Sequence, residues 1–399
     1  MNILVLNCGS SSIKYQLLDM KAQPVLLAKG IVEKIGLPMS SFTHKPEGKD
    51  KLVIEHPIPD HVAGMDLILK ALVDRTYGVI DSLQEIKAVG HRIAHGGEYF
   101  SHSVLIDEDA KAKIKACCDI APLHNPAHLK GIETMERLLP LVPQAAVFDT
   151  SFHQTLPKEA YIYGIPYEYY EKYGVRRYGF HGTSHKFVAE KACKLLGWNI
   201  EEKKIITCHL GNGASVTAIK GGKSIDTSMG FTPVAGLVMG TRTGDLDVGA
   251  LLYICGKKDL TVHEAIGLTN KQSGVLGISG VSSDFRELAT AAENGNTRAE
   301  LALNVFDYNV KKYIGAYAAV LNGVDLIIFT GGIGENNYDA RREICKDMEY
   351  LGVEFDNQIN EGLKGTDKIL SKPGSKTIVM TITTDEELVI ATDTMNLIK

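Results

Sequence analysis

Six side chains in this sequence combine a type and a setting suited to handling phosphate: Lys14, Arg92, Asp149, His181, Arg242 and Glu386. Lys14 ends the stretch LVLNCGSSSIK, in which an apolar run stops at Asn7 and turns through Gly9 and three serines. Such small residues present backbone N–H groups and hydroxyls to an anion. They also make an ordinary hairpin turn, and the stretch alone fits either use. Arg92 stands in GHRIAHGG just past a predicted strand end, and Arg242 stands in MGTRTGD. A guanidinium framed by glycines on a short loop suits bidentate recognition of a carboxylate or a phosphoryl group. His181 lies in YGFHGTSH, directly before a helix predicted to begin near Thr183. A helix N-terminus disfavours imidazolium, so this histidine is either a neutral donor or a hydrogen-bonded structural residue. Asp149 and Glu386 each follow a predicted strand, the place where ligands gather in α/β sheets. Hard oxygen ligands beside phosphate imply Mg²⁺, which needs only one or two carboxylates plus water.

The elements that must position these groups alternate between strands and amphipathic helices, an α/β pattern. Residues 3–7 and 13–19 form a predicted hairpin, and 87–91, 145–148, 204–209, 325–330 and 377–383 are further strands. Asp60 caps a predicted helix with Val62, Met65, Leu69, Leu72 and Val73 on one face, and residues 299–321 form a long helix. The opening hairpin has an echo in IITCHLGNGASVTAI at residues 205–219. There again an apolar strand meets a polar residue, a glycine-rich turn and an alternating strand. Two such hairpins half a chain apart point to a duplicated fold and favour phosphate binding at both turns.

Composition narrows the function. The chain has 399 residues, 44% of them hydrophobic and 23% charged, which suits a globular protein of about two domains. A formal charge of −5 with no long block of either sign argues against a nucleic-acid surface or a polybasic membrane face. Seven irregularly spaced cysteines fit a reduced cytoplasm. The first residues lack the basic and apolar regions of a signal peptide, and no apolar run approaches the ~20 residues of a membrane span. Three histidine pairs at i, i+4 spacing lack the His-Glu-x-x-His arrangement, so no zinc site is expected.

Familiar phosphate loops fail as well. Gly222-Lys223-Ser224 has Thr217 where a Walker A loop needs glycine, and Gly332-Ile333-Gly334 continues into Glu335 and Asn336 without the third glycine of a dinucleotide loop. What remains is a strand–glycine–helix passage at LIIFTGGIGEN, where backbone can approach a ligand closely.

In order along nearly the whole chain, LVLNCGSSSIKY, GHRIAHGGE, PLHNP, VFDTSFH, YGFHGTSH, HLGNGAS, DTSMGFTPVAGLVMGTRTGDLD, FTGGIGEN and TTDEE resemble the motifs of the acetate kinase family. The resemblance implies an α/β fold of two duplicated RNase H-like, actin-like ATPase domains with an active-site cleft between them. On that scheme residues 1–150, completed by a C-terminal helix at 386–399, form one domain, and residues 151–385 form the nucleotide-binding one. It implies a homodimeric cytoplasmic enzyme that uses ATP and acetate, with Mg²⁺ or Mn²⁺, and binds neither nucleic acid nor membrane. Carried over by motif, Asn7 and Glu386 hold the metal and Lys14 meets nucleotide phosphate. Arg92, Asp149, His181 and Arg242 are catalytic. The nucleotide is lined by His209, Leu210, Gly211, Asn212 and Gly213, by Asp284, Phe285 and Arg286, and by Gly332, Ile333, Gly334, Glu335 and Asn336.

The acid's methyl group is expected among Ala94, Leu123, Phe180 and Pro233, with Arg92 on its carboxylate or on the transferring phosphoryl group. The family commonly has valine where this chain has Ala94, which leaves room for about one more carbon and keeps propionate open as a substrate. A short carboxylic acid, with a pKa near ~3.9, is ionised at pH 7 and needs no base to become a nucleophile. Asp149 is therefore expected to orient metal water or an arginine. Two other classes share the fold: a nucleotide-switched chaperone or actin-like protein, and a sugar or glycerol kinase. The first leaves the paired arginines unexplained, and the second calls for a base on a hydroxyl acceptor.

Overall fold

The computed structural model describes residues 1–399. The chain divides into two compact units, Met1–Ser151 with Asp385–Lys399, and Phe152–Thr384. The first unit is built on eight strands: β1 (Asn2–Cys8), β2 (Ser12–Asp19), β3 (Val25–Glu33), β4 (Ser41–Pro46), β5 (Leu52–Glu55), β6 (Ile86–Ile93), β7 (Val104–Leu105) and β8 (Gln144–Phe148). Their order is β5-β4-β3-β2-β1-β6-β8-β7. Strand β1 is apolar without alternation because both of its faces are covered. Leu4 and Leu6 pack against Met65, Ile68 and Leu69 of the helix His61–Leu72, while Ile3 and Val5 pack with Ile390 and Ala391 of the helix Glu386–Leu397.

The second unit holds β9 (Lys204–Leu210), β10 (Ala214–Lys220), β11 (Lys223–Thr227), β12 (Leu326–Thr330), β13 (Lys368–Ile369) and β14 (Ile378–Thr381), in the order β11-β10-β9-β12-β14-β13. One face receives Val188, Ala189 and Ala192 of the helix Gly182–Leu196. The other receives Phe306, Val310 and Ile314 of the helix Thr297–Leu321.

The two sheets repeat one plan. Strands β3-β2-β1-β6-β8 correspond to β11-β10-β9-β12-β14: an antiparallel three-strand meander in each unit, followed by two strands parallel to its first. The duplication inferred from the two glycine-turn hairpins is thus present in the topology.

Several boundaries differ from the sequence-based expectation. Strand β6 continues through Ile93, so Arg92 lies on the strand, paired with Val147 of β8, and not past its end. Ladder pairing with β8 carries the strand two residues beyond the expected end at His91. In the helix capped by Asp60, whose carboxylate accepts from the Ala63 N–H at 2.9 Å, the buried face runs through Met65, Ile68, Leu69 and Leu72. Val62 and Val73 are only half-buried.

Candidate active site

In the first unit, hairpin register does the positioning. Asn7 and Lys14 are direct partners across β1 and β2, so both lie at the closed end beside the Gly9 turn. That turn is held by the Gly9 N–H donating to the Ser12 carbonyl at 2.8 Å and by His61 Nε2 on the Gly9 carbonyl at 2.7 Å. Strand β6 lies parallel to β1 and brings in Arg92. The start of the C-terminal helix brings in Glu386. Together Val5, Asn7, Lys14, Arg92, Glu386, Glu387 and Ile390 line a small cavity of about 150 Å³.

Asp149 follows β8 immediately, fixed by its N–H on the Ile93 carbonyl at 3.0 Å. Its carboxylate accepts from Arg92 Nε at 3.0 Å and from Arg92 Nη2 at 2.7 Å, a bidentate fork. Arg92 Nε is also 3.9 Å from Glu386. Asp149, and then Glu386, hold the guanidinium firmly in its charged form against the cost of burial. Glu387, which the sequence did not single out, is pushed above the ordinary carboxylate range, chiefly by burial and further by Glu386 and Asp385.

The loop after Arg92 is braced by residues to which the sequence assigned no individual role. Asn125 accepts from the His95 N–H at 3.2 Å and donates to the His95 carbonyl at 2.8 Å, and Thr150 accepts from the Gly96 N–H at 3.0 Å. Ala94 is buried there. Leu123 is about half exposed and lines a different hollow with Ser10, Ile35 and His61.

In the second unit a larger cavity of about 820 Å³ opens between the β9–β10 turn, the start of the helix Phe285–Glu293 and the helix Gly331–Asn336. Gly211, Asn212, Asp284, Phe285, Arg286, Gly332, Ile333 and Asn336, all named from the sequence, line it together with Ser283, Tyr338 and Lys364, which were not. Lys364 lies in a Gly-Leu-Lys-Gly turn whose glycines were the only available hint.

The other expected nucleotide residues are placed differently. Leu210 is wholly buried in the core, and its carbonyl backs Gly331, where φ is +77° and a Cβ would come within 2.8 Å of that oxygen. The Gly334 carbonyl accepts from buried Arg341 at 2.8 Å. Glu335 accepts from the Gly331 N–H at 3.0 Å, Thr330 Oγ1 at 3.2 Å and the Thr384 N–H at 3.0 Å. Its carboxylate braces the glycine loop from within and is not among the cavity-lining groups.

His209 and Gly213 belong to a third grouping in the same unit, around His181. His181 precedes the helix Gly182–Leu196 at φ +58°, a left-handed conformation rare for a side-chain-bearing residue. Its ring stacks on that of His209 with centroids 4.4 Å apart. A Cβ placed on Gly213 would lie 3.3 Å from Arg242 Nη1 and 3.6 Å from His181 Nε2, so glycine here keeps open a gap bordered by both nitrogens. Arg242 Nη1 also donates to the Pro233 carbonyl at 3.4 Å. Phe180 is buried, with its carbonyl on His153 Nε2 at 2.9 Å.

A duplicated RNase H-like sheet whose second copy bears a glycine-lined cavity defines the class: an actin-like ATPase fold. The chain belongs to the acetokinase family, whose model matches residues 2–392. Acetate kinase of Parabacteroides distasonis is 55% identical, over 100% of this chain and 99% of that protein. The crystal structure of Porphyromonas gingivalis acetate kinase is 52% identical and superposes with a TM-score of 0.96, covering 100% of both chains. A propionate kinase structure from Francisella tularensis is 43% identical with a TM-score of 0.92, covering 99% of both. The chain is accordingly a phosphotransferase with a carboxyl group as acceptor, and the chaperone and sugar kinase alternatives fall away. No helix is long and apolar enough to cross a membrane.

Proposed function

We propose that this protein transfers the γ-phosphoryl group of ATP reversibly to acetate, giving acetyl phosphate and ADP. The observation that carries the reading is full-length identity of 55–56% to relatives named acetate kinase. The geometry supports it. An ionised acetate needs no base, so the barrier is the approach of one anion to another. Catalysis then rests on positioning and on charge stabilisation aimed at the phosphoryl group. Arg242 and His181 border one gap and stabilise the group in flight. Arg92 takes the acid's carboxylate, oriented by the Asp149 fork. Lys14 neutralises phosphate. The nucleotide occupies the cavity of the Phe152–Thr384 unit, and the remainder of the chain forms the domain that carries Arg92 and Glu386.

Glu386 and Asn7 fit Mg²⁺, with Mn²⁺ as a substitute. They offer one carboxylate and one amide oxygen on a shared cavity, the hard donors such an ion takes alongside water. Bound there, the ion supplies charge neutralisation on the phosphates. The helices Val248–Lys258 and Val262–Lys271 have no buried residue and expose Val248, Leu252, Tyr253, Val262 and Ile266, which supports a homodimer. Seven free cysteines support a cytoplasmic setting.

Coupled ADP-release assays with formate, acetate, propionate, butyrate and glycerol test the reading. Turnover should require a short carboxylate, with acetate preferred and propionate used because Ala94 enlarges the pocket. ATP turnover indifferent to any acid would refute the proposal, and an outright preference for propionate would move it to propionate kinase.

A further inference from the structure

Behind His181 lies a line of buried side chains that neither the nucleotide cavity nor the Arg92 cluster uses. His181 Nδ1 is 2.8 Å from Ser215 Oγ, and Ser215 Oγ is 2.7 Å from His185 Nε2. His185 Nδ1 is in turn 2.7 Å from Thr207 Oγ1. Ser215, His185 and Thr207 are fully buried. The fold sets this line up simply. His185 follows His181 by one turn of the helix Gly182–Leu196, while Thr207 and Ser215 come from the adjacent strands β9 and β10.

Proton accounting gives the line a direction. The Thr207 hydroxyl has one partner, His185 Nδ1, so its proton has only that acceptor. If Thr207 donates there, the single proton of a neutral His185 sits on Nε2 and donates to Ser215. The Ser215 proton is then directed at His181 Nδ1. Running the line the other way leaves the Thr207 proton buried without an acceptor, an arrangement that costs on the order of 1–3 kcal/mol. Burial drives the His185 pKa well below its ordinary value, and His153 and His209 push in the same direction, so His185 is neutral.

We propose that Thr207, His185 and Ser215 are positioning residues that act in series to fix the tautomer of His181, with its proton on Nε2. That nitrogen faces the gap at Gly213, alongside Arg242 Nη1. The relay therefore presents an N–H, and not a lone pair, where an anionic phosphoryl oxygen would sit. It also opposes imidazolium, because a second proton on Nδ1 would meet the Ser215 proton head on. The catalytic consequence rests on the proposed role of His181 in phosphoryl transfer. The tautomer itself does not.

Nitrogen-15 spectra of histidine-labelled protein, with His181 assigned by loss of its signals in His181→Gln, read the tautomer directly. The wild type should show a pyridine-type Nδ1 and a pyrrole-type Nε2 at His181. Thr207→Val, nearly isosteric, should mix the two tautomers and lower kcat about tenfold, part of the 10²–10³ that one preorganised donor supplies. KM for ATP should be unchanged, and Thr207→Ser should restore both the spectrum and kcat. A wild-type His181 protonated on Nδ1 would overturn the relay, as would a Thr207→Ser variant no better than Thr207→Val. Full turnover by His181→Gln beside a wild-type Nε2–H signal would leave the relay standing and remove His181 from the phosphoryl-transfer mechanism.

Discussion

Replacing Arg92 with alanine should damage the protein twice, and the two losses can be separated. The Arg92 fork satisfies both oxygens of Asp149, whose side chain is only 4% exposed, whereas that of Arg92 is 27% exposed. Removing one partner of a buried pair costs about 3–5 kcal/mol. The partial exposure of Arg92 discounts this to about 2 kcal/mol, because solvent already screens one side. For a unit of this size that lowers Tm by roughly 4–8 °C. The catalytic loss is separate: removing one preorganised donor lowers kcat by about 10²–10³. Calorimetry and a coupled assay on wild type, Arg92→Ala, Asp149→Asn and the double variant form the experiment. In the double variant the buried carboxylate is gone, so most of the Tm should return while kcat stays low. An Arg92→Ala variant with native Tm would refute the energetic account of the fork. A double variant that regained activity together with stability would show that Arg92 serves the fold alone.

Three further outcomes are expected. Ala94→Val should lower kcat/KM for propionate about tenfold relative to acetate, since one methylene in an apolar pocket is worth ~1–3 kcal/mol; parallel kinetics with both acids decide it. Glu386→Gln should raise the Mg²⁺ concentration needed for half-maximal turnover, measured by metal titration at fixed ATP, with little change in Tm. His91, buried on β6 with Nε2 2.6 Å from Gln144 Oε1, has its pKa lowered by burial from 6.5 to about 4. As pH falls below 6.5 the unfolded chain takes up this proton and the folded chain does not. Stability should therefore drop by up to ~1.4 kcal/mol per pH unit until about pH 4. Urea midpoints between pH 7 and pH 5 should fall less steeply in His91→Gln, by one proton's worth of slope.

Much of this was legible in the sequence because it depends on local pattern. The apolar runs of β1, β9 and β12 are each followed by glycines and are each buried on both faces, so their position and their turns could be read directly. The groups at the two hairpin turns were legible too: Asn7 and Lys14 flank the first, and Gly211 and Asn212 lie within the second. Other features depend on contacts between distant segments and leave no local trace. Whether Arg92 stood on a strand or beyond it was decided by β8. Glu335 reads like a ligand residue in a glycine loop, yet one oxygen of its carboxylate takes three hydrogen bonds, from Thr330, Gly331 and the distant Thr384. Asn125 and Thr150 are ordinary polar residues until the fold places them against the backbone of His95 and Gly96. The Thr207–His185–Ser215 line was hidden for the same reason, since serine and threonine in a buried strand usually indicate nothing beyond tolerance for a hydroxyl.

The packing of the helix Glu386–Leu397 on Ile3, Val5, Ala88 and Val147 has a consequence for biosynthesis. About 230 residues separate the two segments of the first unit. At ~5–20 residues per second, a ribosome spends roughly 10–50 s making them. Throughout that interval the nascent first sheet displays an uncovered apolar face, and Glu386 does not yet exist. The second unit, continuous in sequence, has all its strands before the first unit has its last helix. Chaperone dependence should therefore track the rate at which the final segment is delivered, and a stalled or prematurely terminated chain should aggregate through the exposed face of β1 and β6.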